Sequence, residues 1–189
     1  MSALLRFEAV ALRRGGRLLV EDLDLALNAG EVLHLVGPNG SGKSSLIRLA
    51  AGLLRADRGR VTRADAALAD ELPALDRELP LRRALQFWAR LSGTASRLEA
   101  AIDALDLLRL AEVPVRLLSS GQIKRAALAR VAASGARLWL LDEPTNALDA
   151  DGVARLDALI ADHRAGGGAV LAASHGSLAG DWARLELGA

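Results

Sequence analysis

No cysteine occurs among the 189 residues, which excludes disulfides, thiolate nucleophiles and cysteine-based metal sites together. Tyrosine is absent too, leaving two phenylalanines and three tryptophans as the only six-membered aromatic rings. Hydrophobic residues make up 51% of the chain, yet no uninterrupted apolar run approaches the ~20 residues of a membrane span. The start, Met1-Ser2-Ala3-Leu4-Leu5-Arg6, lacks a basic segment leading into an apolar one, so no export signal is visible. Neither sign of charge dominates. A net charge of +1 gives no electrostatic case for a nucleic-acid partner. Lysine is nearly missing: of 24 basic residues only Lys43 and Lys124 are lysines, and the rest are arginines. A chain of this length is expected to form one domain with a substantial core.

Lys43 lies in the most informative segment. Gly37-Pro38-Asn39-Gly40-Ser41-Gly42-Lys43-Ser44 matches G-x-x-x-x-G-K-[ST], a loop whose backbone N–H groups wrap phosphates. The apolar run Val32–Val36 precedes it and Ser45-Leu46-Ile47-Arg48-Leu49-Ala50 follows, so the context reads strand, loop, helix. Gly37, Gly40 and Gly42 leave no Cβ between backbone and phosphate. The helix start near Lys43 and Ser45 adds a positive dipole end. Lys43 offers a compact charge for β/γ-phosphates, where a planar guanidinium fits less well. The Ser44 hydroxyl suits Mg²⁺.

Leu23, Leu25 and Leu27 alternate with polar or small residues, the pattern of a half-buried strand. Asn28-Ala29-Gly30-Glu31 turns the chain into the strand before the loop. A turn at Asp57-Arg58-Gly59 leads to a short strand through Val61. From about Leu79 to Leu118 the periodicity is helical, with Leu98, Ile102, Leu105 and Leu108 on one stripe. A second helix is expected from about Gly121 to Ala133, then the apolar strand Leu138-Trp139-Leu140-Leu141. A helix with Val153, Leu156, Leu159 and Ile160 on one face stops at Gly166-Gly167-Gly168. Ala169–Ala173 reads as a last buried strand. Strands alternating with helices imply a mostly parallel sheet covered on both faces, with ligands at its carboxyl end.

The carboxyl ends of these strands carry the chemistry. Asp142 ends an apolar strand, where a carboxylate can orient the Mg²⁺ shell, and Glu143 beside it can accept a proton from an attacking water. His175 follows the last buried strand, where it can hydrogen-bond a γ-phosphate and sense its presence; His34 and His163 read as structural. The second signal is Leu118-Ser119-Ser120-Gly121-Gln122, directly before a helix. Serine hydroxyls and a helix N-terminus form another anion site. Two anion sites but one γ-phosphate per nucleotide suggest two chains meeting across it. Asn146-Ala147-Leu148-Asp149 is placed to communicate across such a seam.

These motifs, in this order over nearly the whole chain, resemble an ABC-transporter nucleotide-binding subunit. The length, Phe87-Trp88-Ala89-Arg90-Leu91-Ser92-Gly93, Val113-Pro114-Val115-Arg116, and the run from Leu138 to Val153 are similar to the CcmA family of cytochrome c biogenesis. The resemblance implies an α/β P-loop NTPase fold of ABC type. Its core sheet would be mostly parallel, with an N-terminal antiparallel strand region and an inserted helical subdomain. Residues 1–69 and 119–189 would form the core and 70–118 the helical part. It implies ATP and Mg²⁺ as ligands, and a homodimer in which Ser119, Ser120, Gly121, Gln122 and Asp149 of one chain cover phosphates held by the other's Gly37–Ser45. Integral membrane subunits of a cytochrome c biogenesis complex would be the partners, at the cytoplasmic face of the bacterial inner membrane. The work would be ATP-driven haem export or release.

Two positions depart from the family pattern. The adenine-stacking aromatic aligns with Arg14, whose guanidinium plane can stack on a base; Arg14-Gly15-Gly16-Arg17 equally suits a plain hairpin turn. The Q-loop glutamine falls near Asp70-Glu71-Leu72, so that Glu71, or else Asp70, would approach the metal. Leu72, Leu75, Leu79, Phe87 and Trp88 are read either as a docking cluster or as packing inside the insert. A soluble, non-transport ABC ATPase, or an ABC subunit for another substrate, is the competing function; a phosphate-loop kinase would leave the second motif unexplained.

Overall fold

Two glycines set the first element. In the computed structural model, which describes residues 3–176 and 178–188, Gly15 and Gly16 both take positive φ, 55° and 80°. This is a two-residue turn whose twist matches paired strands. It joins β1 (Leu5–Arg14) to β2 (Arg17–Leu27), with Arg14 opposite Arg17 and Leu5 opposite Leu27. β4 (Arg58–Arg63) pairs antiparallel with the other edge of β1, giving the order β2-β1-β4. The alternating leucines of β2 turn one face inward, as the sequence predicts.

The second sheet is built from nearly continuous apolar strands, the composition of strands covered on both faces. β3 (Val32–Val36), β6 (Leu138–Asp142) and β7 (Ala169–Ala173) hold its centre, in the order β5-β6-β7-β3-β8. The β6–β7, β7–β3 and β3–β8 pairs are parallel. The expected α/β class with an antiparallel N-terminal region is therefore what the chain adopts. β5 (Ala66–Ala69) and β8 (Ala183–Glu186) have no counterpart in the sequence reading. Both sit at sheet edges, where backbone pairing recruits short stretches with little apolar pattern.

α1 (Lys43–Ala50) packs Leu46, Ile47 and Leu49 onto the core of the first compact unit, against Leu33, Leu35, Leu140 and Leu171. That unit comprises the chain through Leu68, Arg137–Glu143, and the segment from Asp162 onward. The second unit comprises Ala69–Ala136 and Pro144–Ala161.

The second unit is helical. α2 (Leu81–Leu91), α3 (Leu98–Ala104) and α4 (Ser120–Ala133) pack together, and α5 (Ala150–Ala165) contributes its residues through Ala161. Leu98, Ile102 and Leu105 are buried as the stripe predicts, but Leu108 is exposed and Leu107 is buried instead. α3 ends at Ala104, so the 3.6-residue period no longer applies three residues later. Leu75 is buried too, and Trp88 donates its indole N–H to the Ala74 carbonyl at 2.6 Å while Arg130 lies 5.1 Å over its ring. Those two belong to the packing of the insert. Leu72 and Phe87 of the same group are exposed. Among the described residues no helix is long and apolar enough to cross a membrane.

The two phenylalanines occupy opposite environments: Phe7 is 1% exposed in the core and Phe87 is 60% exposed. Phe7→Ala is expected to cost about 3–5 kcal/mol through lost burial and a cavity, whereas Phe87→Ala stays within about 0.5 kcal/mol. Urea unfolding of both variants checks this, and comparable losses would contradict the placement.

Candidate nucleotide site

The phosphate loop leaves β3 at Gly37, whose φ of 143° is open to glycine but not to other residues. Space repeats the demand, since a Cβ there would stand 2.3 Å from the Leu187 backbone oxygen. Leu187 N–H donates to the Val36 carbonyl at 2.9 Å, so the segment after β8 braces the exit of β3. Lys43 is buried, and its Nζ donates to the Gly37 and Pro38 carbonyls at 2.7 and 3.0 Å. The ammonium is thereby folded onto its own loop. The buried Ser41 hydroxyl has no protein hydrogen-bond partner, the kind of orphan that a phosphate oxygen satisfies.

Ser44 Oγ donates to Asp142 Oδ1 at 3.1 Å, joining the first turn of α1 to the end of β6. A hydroxyl and a carboxylate at that separation are hard oxygen donors suited to Mg²⁺, which takes few protein ligands and completes its shell with water and phosphate. Among the described residues no group of three or more His, Asp or Glu side chains is placed to hold a metal alone. The donor set fits a metal that arrives with its phosphate.

Glu143 follows Asp142 with φ of 47°, the left-handed region that a non-glycine residue adopts at a cost of order 1 kcal/mol or more. Its N–H is held by the Ala173 carbonyl at 2.8 Å, and its largely buried carboxylate lies 3.4 Å from His175 Nε2. The His175 segment is pinned from below. His34 Nε2–H donates to the Ser174 carbonyl at 3.2 Å, and Gly176 N–H donates to the Ser174 hydroxyl at 3.0 Å. Lys43, Ser44, Ser45, Asn39, Gly40, Gly42, Glu143 and His175 line one cleft of about 320 Å³. Arg14, Arg17 and Leu19 of the β1–β2 hairpin complete its wall. Arg14 thus lies in a hairpin turn and at the cleft together. The sequence reading passed over Arg17, although the Arg-Gly-Gly-Arg spacing placed it opposite Arg14.

In the second unit, Ser119 is the N-cap of α4. Its hydroxyl accepts from Gln122 N–H at 3.3 Å, and the Gln122 side chain accepts from Ser119 N–H at 2.9 Å. This reciprocal capping box was written in the sequence as S-x-x-Q and went unnoticed. The Ser119 hydroxyl keeps its own hydrogen, so it can still donate to an anion. Gly121 has no room for a side chain, because a Cβ would stand 2.6 Å from the Ala147 carbonyl. The second motif and the Ala147-Leu148-Asp149 loop are therefore packed backbone to backbone. Asp149 Oδ1 accepts from Gly152 N–H at 2.8 Å and starts α5. Glu71 is exposed just past β5, while the Asp70 carboxylate accepts from Leu72 N–H.

The chain is similar to known proteins. Residues 20–146 match the ABC transporter family model. The cytochrome c biogenesis ATP-binding export protein CcmA of Sphingopyxis alaskensis is 59% identical, over 95% of this chain and 93% of that protein. The protein of the same name from Novosphingobium aromaticivorans is 57% identical over 90% and 87%. A solved ATP-binding subunit of an ABC transporter aligns with a TM-score of 0.81 over 91% of this chain and 79% of the other, at 24% identity, a likeness of fold.

Burial holds His34 below its ordinary value near 6.5, outweighing the Ser174 carbonyl, which favours the charged ring. A depressed folded value means that the unfolded chain binds more protons below about pH 6.5. Stability is complete above that pH and declines as pH falls. Urea midpoints at pH 7.5 and 5.5 are expected to differ, and by less in His34→Gln; equal pH dependence in both proteins would contradict this role.

Proposed function

The chain belongs to the CcmA family of ABC-transporter ATP-binding subunits, and on that premise we propose how its residues divide the work of hydrolysing ATP. The subunit is an ATPase that serves a membrane partner. The observation that supports the division of roles best is the convergence of Lys43, Ser44, Glu143 and His175 on one cleft. Backbone groups of Gly37, Pro38, Asn39, Gly40, Ser41 and Gly42 surround the phosphates, and Lys43 exchanges its loop carbonyls for β/γ-oxygens. Ser44 and Asp142 would hold Mg²⁺, which would supply neutralisation of the phosphate charge. Glu143 takes the proton of a water that attacks the γ-phosphorus in line, and ADP leaves with the bridging oxygen. His175, beside the Glu143 carboxylate, contacts the γ-phosphate and registers its loss. Arg14 stacks on the base.

A second copy contributes Ser119, Ser120, Gly121, Gln122 and Asp149, so that two chains enclose two ATP molecules. The Ser119 hydroxyl, capped yet still able to donate, supports that role. The partner is an integral membrane complex of cytochrome c biogenesis at the cytoplasmic face of the bacterial inner membrane, and the exported or released substrate is haem. Its docking face includes Phe87 and Leu91 of α2, which stand exposed beside Arg83 and Arg90 around a groove.

Glu143→Gln keeps shape and hydrogen bonding but removes the base. It is expected to bind ATP, to lose turnover by about 100-fold or more, and to accumulate as a nucleotide-bound dimer. Light scattering that finds only monomer with ATP and Mg²⁺ counts against both the base and the second copy.

Glu71 stands where the family carries a glutamine, and we assign it the same link between metal and partner. In that role Glu71 would add a third carboxylate to Asp142, Glu143 and the γ-phosphate, whose like charges would repel it and keep turnover low until the partner docks. Glu71→Gln is expected to raise the basal ATPase rate at saturating ATP and Mg²⁺. An unchanged or lower rate rules the link out.

A further inference from the structure

The part of the cleft beyond the phosphate loop has an unusual chemistry. Leu19 abuts the loop, lying 3.1 Å from where a Gly42 Cβ would stand. Arg17 and its cross-strand partner Arg14 continue the wall toward the hairpin tip, and both side chains are exposed. Among the described residues, no aromatic ring other than the His175 imidazole lines the cleft. Phe7 and Trp139 are buried in the core, and the chain has no tyrosine. Among the described residues the cleft wall has one carboxylate, Glu143, and it is paired with His175.

A nucleobase in this cleft meets two guanidinium groups. Guanidinium offers only donors, in a planar fork, and its face stacks on any base. Adenine presents N7 as an acceptor beside the N6 amino donor, which a guanidinium cannot satisfy. Guanine presents N7 and O6, two acceptors that match the fork. The charged side chains here therefore carry no element that selects adenine, and one that suits guanine.

We propose that this subunit hydrolyses GTP as well as ATP, with Arg14 and Arg17 as its base-contacting residues. The proposal rests on the reading of this cleft as the nucleotide site. The chemistry is unchanged: a water oxygen attacks the γ-phosphorus, its proton passes to Glu143, the bond to the β–γ bridging oxygen breaks, and GDP leaves.

The test uses the full chain with Mg²⁺ and compares ATP, GTP and inorganic triphosphate, by equilibrium binding for all three and by phosphate release for the nucleotides. Native protein is expected to use GTP with a kcat/KM within about tenfold of that for ATP. Arg14→Ala combined with Arg17→Ala is expected to weaken GTP binding by about tenfold or more, ATP binding by less, and triphosphate binding least. Both residues are exposed on a turn, so the fold is retained, and circular dichroism verifies it. ATP hydrolysis with GTP more than tenfold poorer overturns the proposal and leaves the ATPase reading standing. Equal loss of triphosphate and GTP binding in the double variant also overturns it, since the arginines would then serve phosphate charge. If neither nucleotide is hydrolysed, the ATPase reading falls and this one with it.

Discussion

Backbone N–H groups can surround a phosphate only where no Cβ stands in the way, and the first unit is organised around holding such a bare stretch still. Gly37 supplies the bareness, with a φ of 143° and a backbone oxygen where a side chain would begin. Glycine-rich backbone has the most freedom to lose on ordering, so the stiffness comes from its surroundings. β3 enters from the middle of the sheet, the segment around Leu187 braces its exit, and α1 leaves with Leu46, Ile47 and Leu49 fixed in the core. Lys43 closes the loop on its own carbonyls. The cationic centre is thus held in place, the preorganisation that its proposed role toward developing phosphate charge requires.

The neighbouring strands carry strain for the same purpose. Glu143 sits in the left-handed region directly after a fully buried strand, tied through its N–H to Ala173. Ala147, four residues on, has a φ of 65° and presses its carbonyl against Gly121. Such conformations persist where the flanking structure determines them. Here the fully buried β6 and β7 stabilise the strained Glu143 backbone beside them. His34, buried beneath Ser174, fixes the His175 segment in the same way.

Much of this was legible in the sequence because it rests on local chemistry. The Gly37–Ser44 loop, the apolar strand ending in Asp142, and the helix with Leu156 and Ile160 inward each follow from motif or period. What escaped depends on tertiary context. Leu107 replaces Leu108 in the core because α3 stops first. β5 and β8 exist through edge pairing, which leaves little trace in composition. For Leu75 and Trp88 the sequence left docking and packing inside the insert both open; burial of Leu75, and the contacts of Trp88 with Ala74 and Arg130, decide for packing. Arg17 is distinguished only by lying opposite Arg14 across a two-residue turn.

The phosphate loop and the capped start of α4, the two proposed anion sites, lie in separate units of one chain. In the two-chain account each nucleotide is enclosed by the loop of one copy and the capped helix of another, so that hydrolysis is a property of the pair. The specific ATPase rate of the native chain, at saturating Mg²⁺ and ATP, measured against chain concentration, tests that claim most directly. The account predicts a rate per chain that rises with concentration and then levels off as pairing saturates. A rate per chain that stays constant down to concentrations at which light scattering shows only monomer would contradict it.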